Sequence, residues 1–313
     1  MAADQGNPVE RIHIAVGFDE NYLHPVYSLI SSLIIHHRAG QVEIHALTQG
    51  ITEKEKFNMT EFVGHSGNRI SFYTLDRSLV SQFVLTSQWT SAVYYRLFFT
   101  SLIPEKIQRL IYLDSDTVVT NSLWPLYNVA MDDFPVAAVF DNYVKTQPLI
   151  NIFEEGEYFN SGVMLIDVEK WKAQKISEQA CEYLQQYPQN ILFVDQCALN
   201  KVLRSKWKKL DFRFNLMYSC LPEDLSKKQM RGLVKNSVVV HYTLQRPWHM
   251  LCKNRLRNLY FYYIKRAGVI KLPWLGYSDF EIKKIPAWIK IRLQDFYFDV
   301  PVLRKFWRFI HIR

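Results

Sequence analysis

Two carboxylates two residues apart at the end of an apolar run, in RLIYLDSDTVV, are the pair in this chain best suited to chemistry. Asp114 and Asp116 on an extended backbone point the same way once the chain kinks slightly, so both can reach one hard cation. Lying between the apolar segments Arg109–Leu113 and Thr117–Val119, they would be pinned together and would repel each other without one. An Asp at a strand end is also an ordinary turn former or helix cap. A second apolar run, residues 238–242, carries His241 and is followed by RPWH at 246–249. Such a histidine is as readily a hydrogen-bonded structural residue. Joined to Asp114 and Asp116, it makes a mixed oxygen and nitrogen set that favours Mn²⁺ over the harder, water-retaining Mg²⁺. Arg246 could then face a phosphate as a fixed cation.

Three further polar clusters stand beside apolar runs. Asn160, Ser161 and Gly162 in YFNSGVMLIDVEKW suit a loop that approaches a ligand closely before a strand at 163–168, with Asn160 offering donor and acceptor to a hydroxyl. Asp195 and Gln196 open DQCALN, where the aspartate is either a helix cap or a site carboxylate. Asp19, Glu20, Asn21 and Tyr22 suit a base and ribose, and equally suit capping the next helix.

The elements that must position these residues are legible in the hydrophobic pattern. Apolar, β-rich runs occur at 12–18, 42–48, 70–75, 109–113, 136–140, 163–168 and 238–242, several without alternation, as in strands buried on both faces. Helix candidates lie between the early ones at 25–35, at 52–63, which opens TEKE like a capping box, and at 91–102. This βαβαβα order predicts an α/β chain with a mostly parallel, doubly wound sheet whose ligands bind beyond the carboxyl ends of the strands. Neither GxGxxG after the first strand nor GxxxxGK[ST] occurs, which excludes a dinucleotide fingerprint and a Walker ATPase.

Composition sets the outer bounds. With 49% hydrophobic residues in 313, the chain can build one large core. No apolar run approaches the ~20 residues of a membrane span, and the first residues are polar, so a cytoplasmic protein is expected. Cys181, Cys197, Cys220 and Cys252 lack metal-binding spacing and read as reduced core thiols. The charge is uneven: residues 253–313 hold 14 Lys and Arg against 4 Asp and Glu, an excess larger than the whole chain's +8. Rings such as Trp274, Trp288, Phe306, Trp307 and Phe309 interleave with these cations. Nucleic-acid binding, a solvated helical face and attachment to an anionic membrane are the three readings. No nucleic-acid module is recognised. Leu303, Phe306, Trp307 and Ile310 recur at helical spacing while Arg304, Lys305, Arg308 and His311 fall mostly opposite, which favours the membrane. The expected organisation is a catalytic region over residues 1–250 and a basic, aromatic, membrane-surface region over 251–313.

GFDENY, YYRLF, LIYLDSDTVV, YFNSGVMLIDVEKW, DQCALN and VVVHY followed by RPWH occur in one order over residues 12–249. In this the chain resembles the retaining glycosyltransferases of family 8, and within them the lipopolysaccharide and lipooligosaccharide glucosyl- and galactosyltransferases. The resemblance implies a GT-A fold, which is Rossmann-like with a mostly parallel central sheet flanked by helices, followed by a basic aromatic helical C-terminal region. It implies a UDP-sugar donor, UDP-glucose or UDP-galactose, and Mn²⁺, with Mg²⁺ as the alternative ion. Asp114, Asp116 and His241 then correspond to the metal ligands, and Asp19, Asn21 and Tyr22 to the uridine site. Arg96, Asp141, Asn160, Asp195 and Gln196 fall around the donor sugar, Asp195 and Gln196 at the catalytic positions. Arg246 stands where the family usually has a diphosphate-binding lysine. There the chain departs from the family's HYxGxxKPW: residues 241–248 read HYTLQRPW, one residue shorter and without the glycine.

The implied reaction moves a hexose to a lipid-linked oligosaccharide, on the cytoplasmic face of the inner membrane, with retention of anomeric configuration. Gln196 is a poor nucleophile, which favours attack by the acceptor hydroxyl from the leaving-group side, while Asp195 keeps a double displacement open. The alternative is a catalytically silent sugar-nucleotide or carbohydrate-binding protein on the same fold. Intact Asp114, Asp116, His241 and Gln196 weigh against it.

Overall fold

Strand β1 (Ile12–Asp19) is buried along almost its whole length, as its unbroken apolar run requires. It is followed in the computed structural model, which describes residues 10–76, 78–84, 90–222, 224–268 and 277–311, by α1 (Leu23–His36), β2 (Val42–Gln49), α2 (Glu53–Gly64) and β3 (Arg69–Tyr73). Helix α2 starts on the capping box read from TEKE: the Thr52 hydroxyl accepts from the Glu55 amide at 3.3 Å, and the Glu55 carboxylate accepts from the Thr52 amide at 2.8 Å. After the short α3 (Ser78–Ser81), the expected helix at 91–102 is instead a 3₁₀ segment, Ser91–Leu97, followed by a single turn, α4 (Phe99–Leu102). Its Val-Tyr-Tyr stretch has low helix propensity, and burial of Ala92, Tyr94, Tyr95, Arg96 and Leu97 on several sides favours the tighter winding.

Then come β4 (Arg109–Leu113), β5 (Thr117–Val119), α5 (Trp124–Tyr127), β6 (Val136–Phe140), β7 (Phe159–Asp167), α6 (Val168–Ala173), α7 (Ile176–Gln186), α8 (Val194–Val202), β8 (Lys208–Lys209) and β9 (Leu216–Met217). The chain closes with α9 (Lys227–Asn236), β10 (Val239–His241), α10 (Arg257–Ala267), α11 (Ile285–Asp299) and α12 (Pro301–His311). Two compact units result. One comprises the chain up to Leu23, Leu33–Ser115 and Ser122–Asp211; the other comprises His24–Ser32, Asp116–Asn121 and the chain from Phe212 on.

The first unit is built on a seven-stranded sheet ordered β3-β2-β1-β4-β7-β6-β8. The pairs β1–β2, β2–β3, β1–β4 and β6–β8 are parallel, and β7 runs antiparallel to β4 and β6, so the sheet is mostly parallel as expected. Strand β7 begins four residues earlier than the apolar pattern suggests. Asn160, Ser161 and Gly162 therefore lie within a strand and not in a loop before it, because Gly162 accepts the Asp114 amide at 2.8 Å and Asn200 pairs with the backbone of Phe159.

The second unit holds a three-stranded sheet, β5-β10-β9, in which Thr117 lies opposite His241. Its helix α11 buries Phe298, and Asp295 receives Arg255 and Arg257 as ion pairs. Among the described residues no helix is long and apolar enough to cross a membrane. Trp274, and the side chains of Trp307, Arg308, Phe309, Ile310 and His311, lie outside the described part.

Candidate active site

The topology gathers polar residues at one edge of the seven-stranded sheet. Parallel β1 and β4 end there with Asp19 and Asp114, β6 ends there before Asp141, and antiparallel β7 starts there with Asn160 and Ser161. This is the carboxyl-end location where ligands bind such sheets. Gly17, near the end of β1, permits the close approach of the 3₁₀ segment: an added Cβ would meet Tyr95 Cβ at 3.0 Å.

Arg96, on that segment, is the electrostatic centre of this edge. Its Nε lies 2.7 Å from Asp195 Oδ2 and its Nη2 3.0 Å from Asp114 Oδ1, while Nη1 donates to the carbonyl and hydroxyl oxygens of Ser161 at 2.7 and 2.9 Å. The guanidinium also rests 4.8 Å from the ring centre of Tyr112, whose hydroxyl donates to Asp114 Oδ1 at 3.0 Å. Two buried or half-buried carboxylates thus share one cation. Burial pushes the Asp195 carboxyl up to about 7, opposed by Arg96 and reinforced by the negative charge of Asp114.

Gln196 is held as firmly. Its Oε1 accepts from the Ser161 amide at 3.0 Å and from Asn160 Nδ2 at 3.2 Å, and its Nε2 donates to Asp141 Oδ2 at 3.2 Å. A backbone donor on one side and a carboxylate on the other fix the orientation of this amide. Asn160 donates to the same Asp141 oxygen at 3.1 Å, so Asp141, Asn160 and Gln196 form one network. Asp195 does not cap helix α8; it lies in the first turn, and the residue before it, Val194, adopts φ +35°. A β-branched residue there costs about 1–3 kcal/mol and persists only where surrounding contacts dictate it. Asn200 supplies such contacts, donating to the Phe159 carbonyl at 2.8 Å and accepting the Phe159 amide at 2.7 Å, which locks α8 to β7. Asp19, by contrast, does cap: its Oδ1 accepts the Asn21 amide at 3.0 Å and winds Asn21 and Tyr22 into a 3₁₀ turn beside it.

In the second unit, Asp116 Oδ1 faces His241 Nε2 at 3.2 Å, and His241 Nδ1 donates to Asn215 Oδ1 at 3.2 Å. Burial disfavours the Asp116 carboxylate, but the His241 and Arg246 charges outweigh it and hold its pKa below the usual range. Asp116 and His241 thus bring a carboxylate oxygen and a ring nitrogen together as two donors that a metal ion can use, and Asp114 stands two residues before Asp116 in the sequence. When His241 gives up its charge and keeps its proton on Nδ1, its Nε2 lone pair turns toward a carboxylate oxygen. Two acceptors in that geometry require a proton or a cation between them, and Asn215 fixes the ring as outer partners of metal-bound histidines do. After His241 the chain makes its left-handed turn without glycine, at Leu244 with φ +62°, and Arg246 remains near Asp116.

Comparison with known proteins then decides the family. The profile described as glycosyl transferase family 8 matches residues 13–252. The chain belongs to that family. It is 30% identical over 267 residues to General stress protein A of Bacillus subtilis, covering 82% of this chain and 93% of that one. It is 26% identical over 251 residues to a lipopolysaccharide 1,2-glucosyltransferase of Escherichia coli, covering 78% and 74%. In three dimensions it matches galactosyltransferase LgtC, in complex with donor and acceptor sugar analogs, with a TM-score of 0.70 at 24% identity, covering 88% of this chain and 100% of that one. The GT-A fold expected from the motifs is therefore the fold of this family 8 chain. Asn200, Asn215 and Tyr112 are the supporting residues that motif reading passed over. Only Asn200 had a sequence signal, standing one helical turn after Gln196.

Proposed function

We propose that this family 8 chain is a metal-dependent, retaining hexosyltransferase that moves glucose or galactose from a UDP-sugar to a lipopolysaccharide-type acceptor. The observation that carries the reading is the pairing of Asp116 with His241, with Arg246 beside Asp116. Among its relatives are a lipopolysaccharide 1,2-glucosyltransferase and a lipopolysaccharide 1,3-galactosyltransferase, which support the choice of hexose and acceptor. Asp114, Asp116 and His241 would hold Mn²⁺, the mixed donor set favouring it over Mg²⁺. That ion, when bound, supplies electrostatic stabilisation of the departing diphosphate.

The chain's own residues do the rest. Arg246 adds a fixed positive charge toward the diphosphate, Asp19, Asn21 and Tyr22 face the uridine, and Asp141 and Asn160 orient the donor sugar with Arg96 behind them. Gln196 Oε1 already accepts from the Asn160 side chain and from the amide and hydroxyl of Ser161, so it positions groups and does not attack. Asp195, tied to Arg96 and raised toward neutrality by burial, is a weak nucleophile as well. Both points favour attack by the acceptor hydroxyl from the leaving-group side. Incubating the chain and Mn²⁺ with UDP-glucose or UDP-galactose and rough lipopolysaccharide tests the reading: an α-linked hexose in the product supports it, whereas a β-linked product, or no transfer from either donor, rejects it.

Arg246→Ala is expected to lose roughly ten- to a hundredfold in kcat/KM, the equivalent of about 1.5–3 kcal/mol for a hydrogen bond to a charged group. Arg246→Lys should retain much of the activity, since a lysine serves as a point charge for phosphate. Steady-state kinetics with UDP-sugar varied checks this, and unchanged constants for the alanine variant would place Arg246 outside the phosphate site.

The proposed enzyme works on the cytoplasmic face of the inner membrane, with residues 1–250 catalytic and 251–313 attached to anionic lipid. Ile289, Leu293 and Phe296 line one exposed side of α11, and Val302 and Phe306 are exposed on α12. Buried Phe298 and ion-paired Asp295 dock the other side of α11, so the helix both packs on its own unit and leaves an apolar face outward. Exchanging Ile289, Leu293 and Phe296 for glutamine should weaken binding to anionic vesicles by about a hundredfold, each side chain contributing about 1 kcal/mol when partly buried. Sedimentation with vesicles at low salt is the measurement. Equal binding by wild type and variant would show that this face does not touch lipid.

A further inference from the structure

We propose that His13, Glu43 and His45 form a second metal site, a Zn²⁺ centre on one face of the seven-stranded sheet. Parallel pairing sets His13 of β1 opposite Glu43 of β2, and His45, two residues further along β2, projects to the same side. His13 Nδ1 and His45 Nε2 are 3.1 Å apart, and one atom from each of the three residues falls within 4.8 Å of the others. Two imidazole nitrogens and a carboxylate oxygen are a donor set that Zn²⁺ takes in tetrahedral sites with one open position, and nitrogens each ~2.0–2.1 Å from such an ion sit about 3.3 Å apart. The observed spacing needs little adjustment.

The surroundings support the same assignment. The Tyr73 hydroxyl lies 2.9 Å from His45 Nδ1, placed to accept that proton and leave Nε2 to the metal. Burial disfavours the charged form of both rings. Among the described residues the Glu43 carboxylate has a long ion pair of 3.9 Å with Arg11. Arg11 and Lys106 are the cations that oppose binding; Glu43 is the anion that favours it. The competing arrangement is a single proton shared between the two rings, which the Glu43 charge would also favour. A metal there would tie β1 and β2 together, with edge strand β3 joined through Tyr73, and would add stability by mass action.

The test uses the full-length chain carrying Asp116→Ala and His241→Ala, so that the first metal group is removed. After chelator treatment, Zn²⁺ alone is titrated by calorimetry and the thermal midpoint is followed. One equivalent should bind and raise the midpoint. In that background His13→Gln or Glu43→Gln should lower affinity by more than the 10–100-fold typical of losing an outer partner, and Tyr73→Phe by roughly that amount. Glu43→Gln preserves side-chain shape, so it decides the matter if His13→Gln fails to fold. No Zn²⁺ bound by the background, or an affinity unchanged by Glu43→Gln, overturns the site in favour of the shared proton.

Discussion

Asp116→Ala is expected to reduce transfer by roughly a thousandfold, about 4 kcal/mol of lost leaving-group stabilisation, while the chain stays folded. The carboxylate faces His241 Nε2 at 3.2 Å and lies beside Arg246, so its removal takes away one ligand and the negative charge that Arg246 faces. Folding should survive because the backbone contact at this position remains: the Asp116 carbonyl accepts the Tyr242 amide at 2.9 Å whatever the side chain. Steady-state UDP release and a thermal melt on the same sample check both halves of the expectation. Turnover like that of wild type at limiting Mn²⁺ would remove Asp116 from the metal site.

Arg96→Met is the second large effect, and here stability falls together with activity. Arg96 is the shared partner of Asp114 and Asp195, so its loss strands a fully buried carboxylate, at a cost of about 3–5 kcal/mol. The cost should depend on pH with a definite sign. Burial raises Asp195 from an ordinary value of 3.8 to about 7 in the folded chain, so between those values the folded state holds a proton that the unfolded state has lost. The group's contribution to stability is therefore greatest below the unfolded value and declines as pH rises through about 7. Removing Arg96 takes away an opposing cation and extends that decline to higher pH. The difference in melting temperature between wild type and Arg96→Met should be wider at pH 8 than at pH 5. A difference that does not change with pH would mean that Asp195 is not the residue left uncompensated.

How much of this was legible from the residues varied with the physics involved. Asp19 and Asp114 were placed correctly at strand ends because both follow apolar runs long enough to be buried strands, and the TEKE box became the start of α2 because its two hydrogen bonds are local. Asn160 and Ser161 looked like loop residues because they are polar, yet they belong to β7: the partners that satisfy them, Asp141, Arg96 and Gln196, come from distant parts of the chain. The same holds for Val194, where tertiary contacts override what a β-branched residue prefers, and for Leu244, which takes the left-handed turn expected of a glycine. Asn215 carries no signal at all in FRFNLM and becomes meaningful only when Nδ1 of His241 is found against it. In the tail, helical spacing predicted α12, but the docking of α11 through Asp295 depends on Arg255 and Arg257, some forty residues away in sequence.

UDP release from UDP-glucose and UDP-galactose, followed while Mn²⁺ is titrated into chelator-treated protein, tests the central claim most directly. The proposed function predicts negligible release without metal, a saturable rise with Mn²⁺ for at least one donor, and a rightward shift of that titration in His241→Ala. Release that is undiminished by chelation, or a His241→Ala titration that overlays wild type, would contradict it.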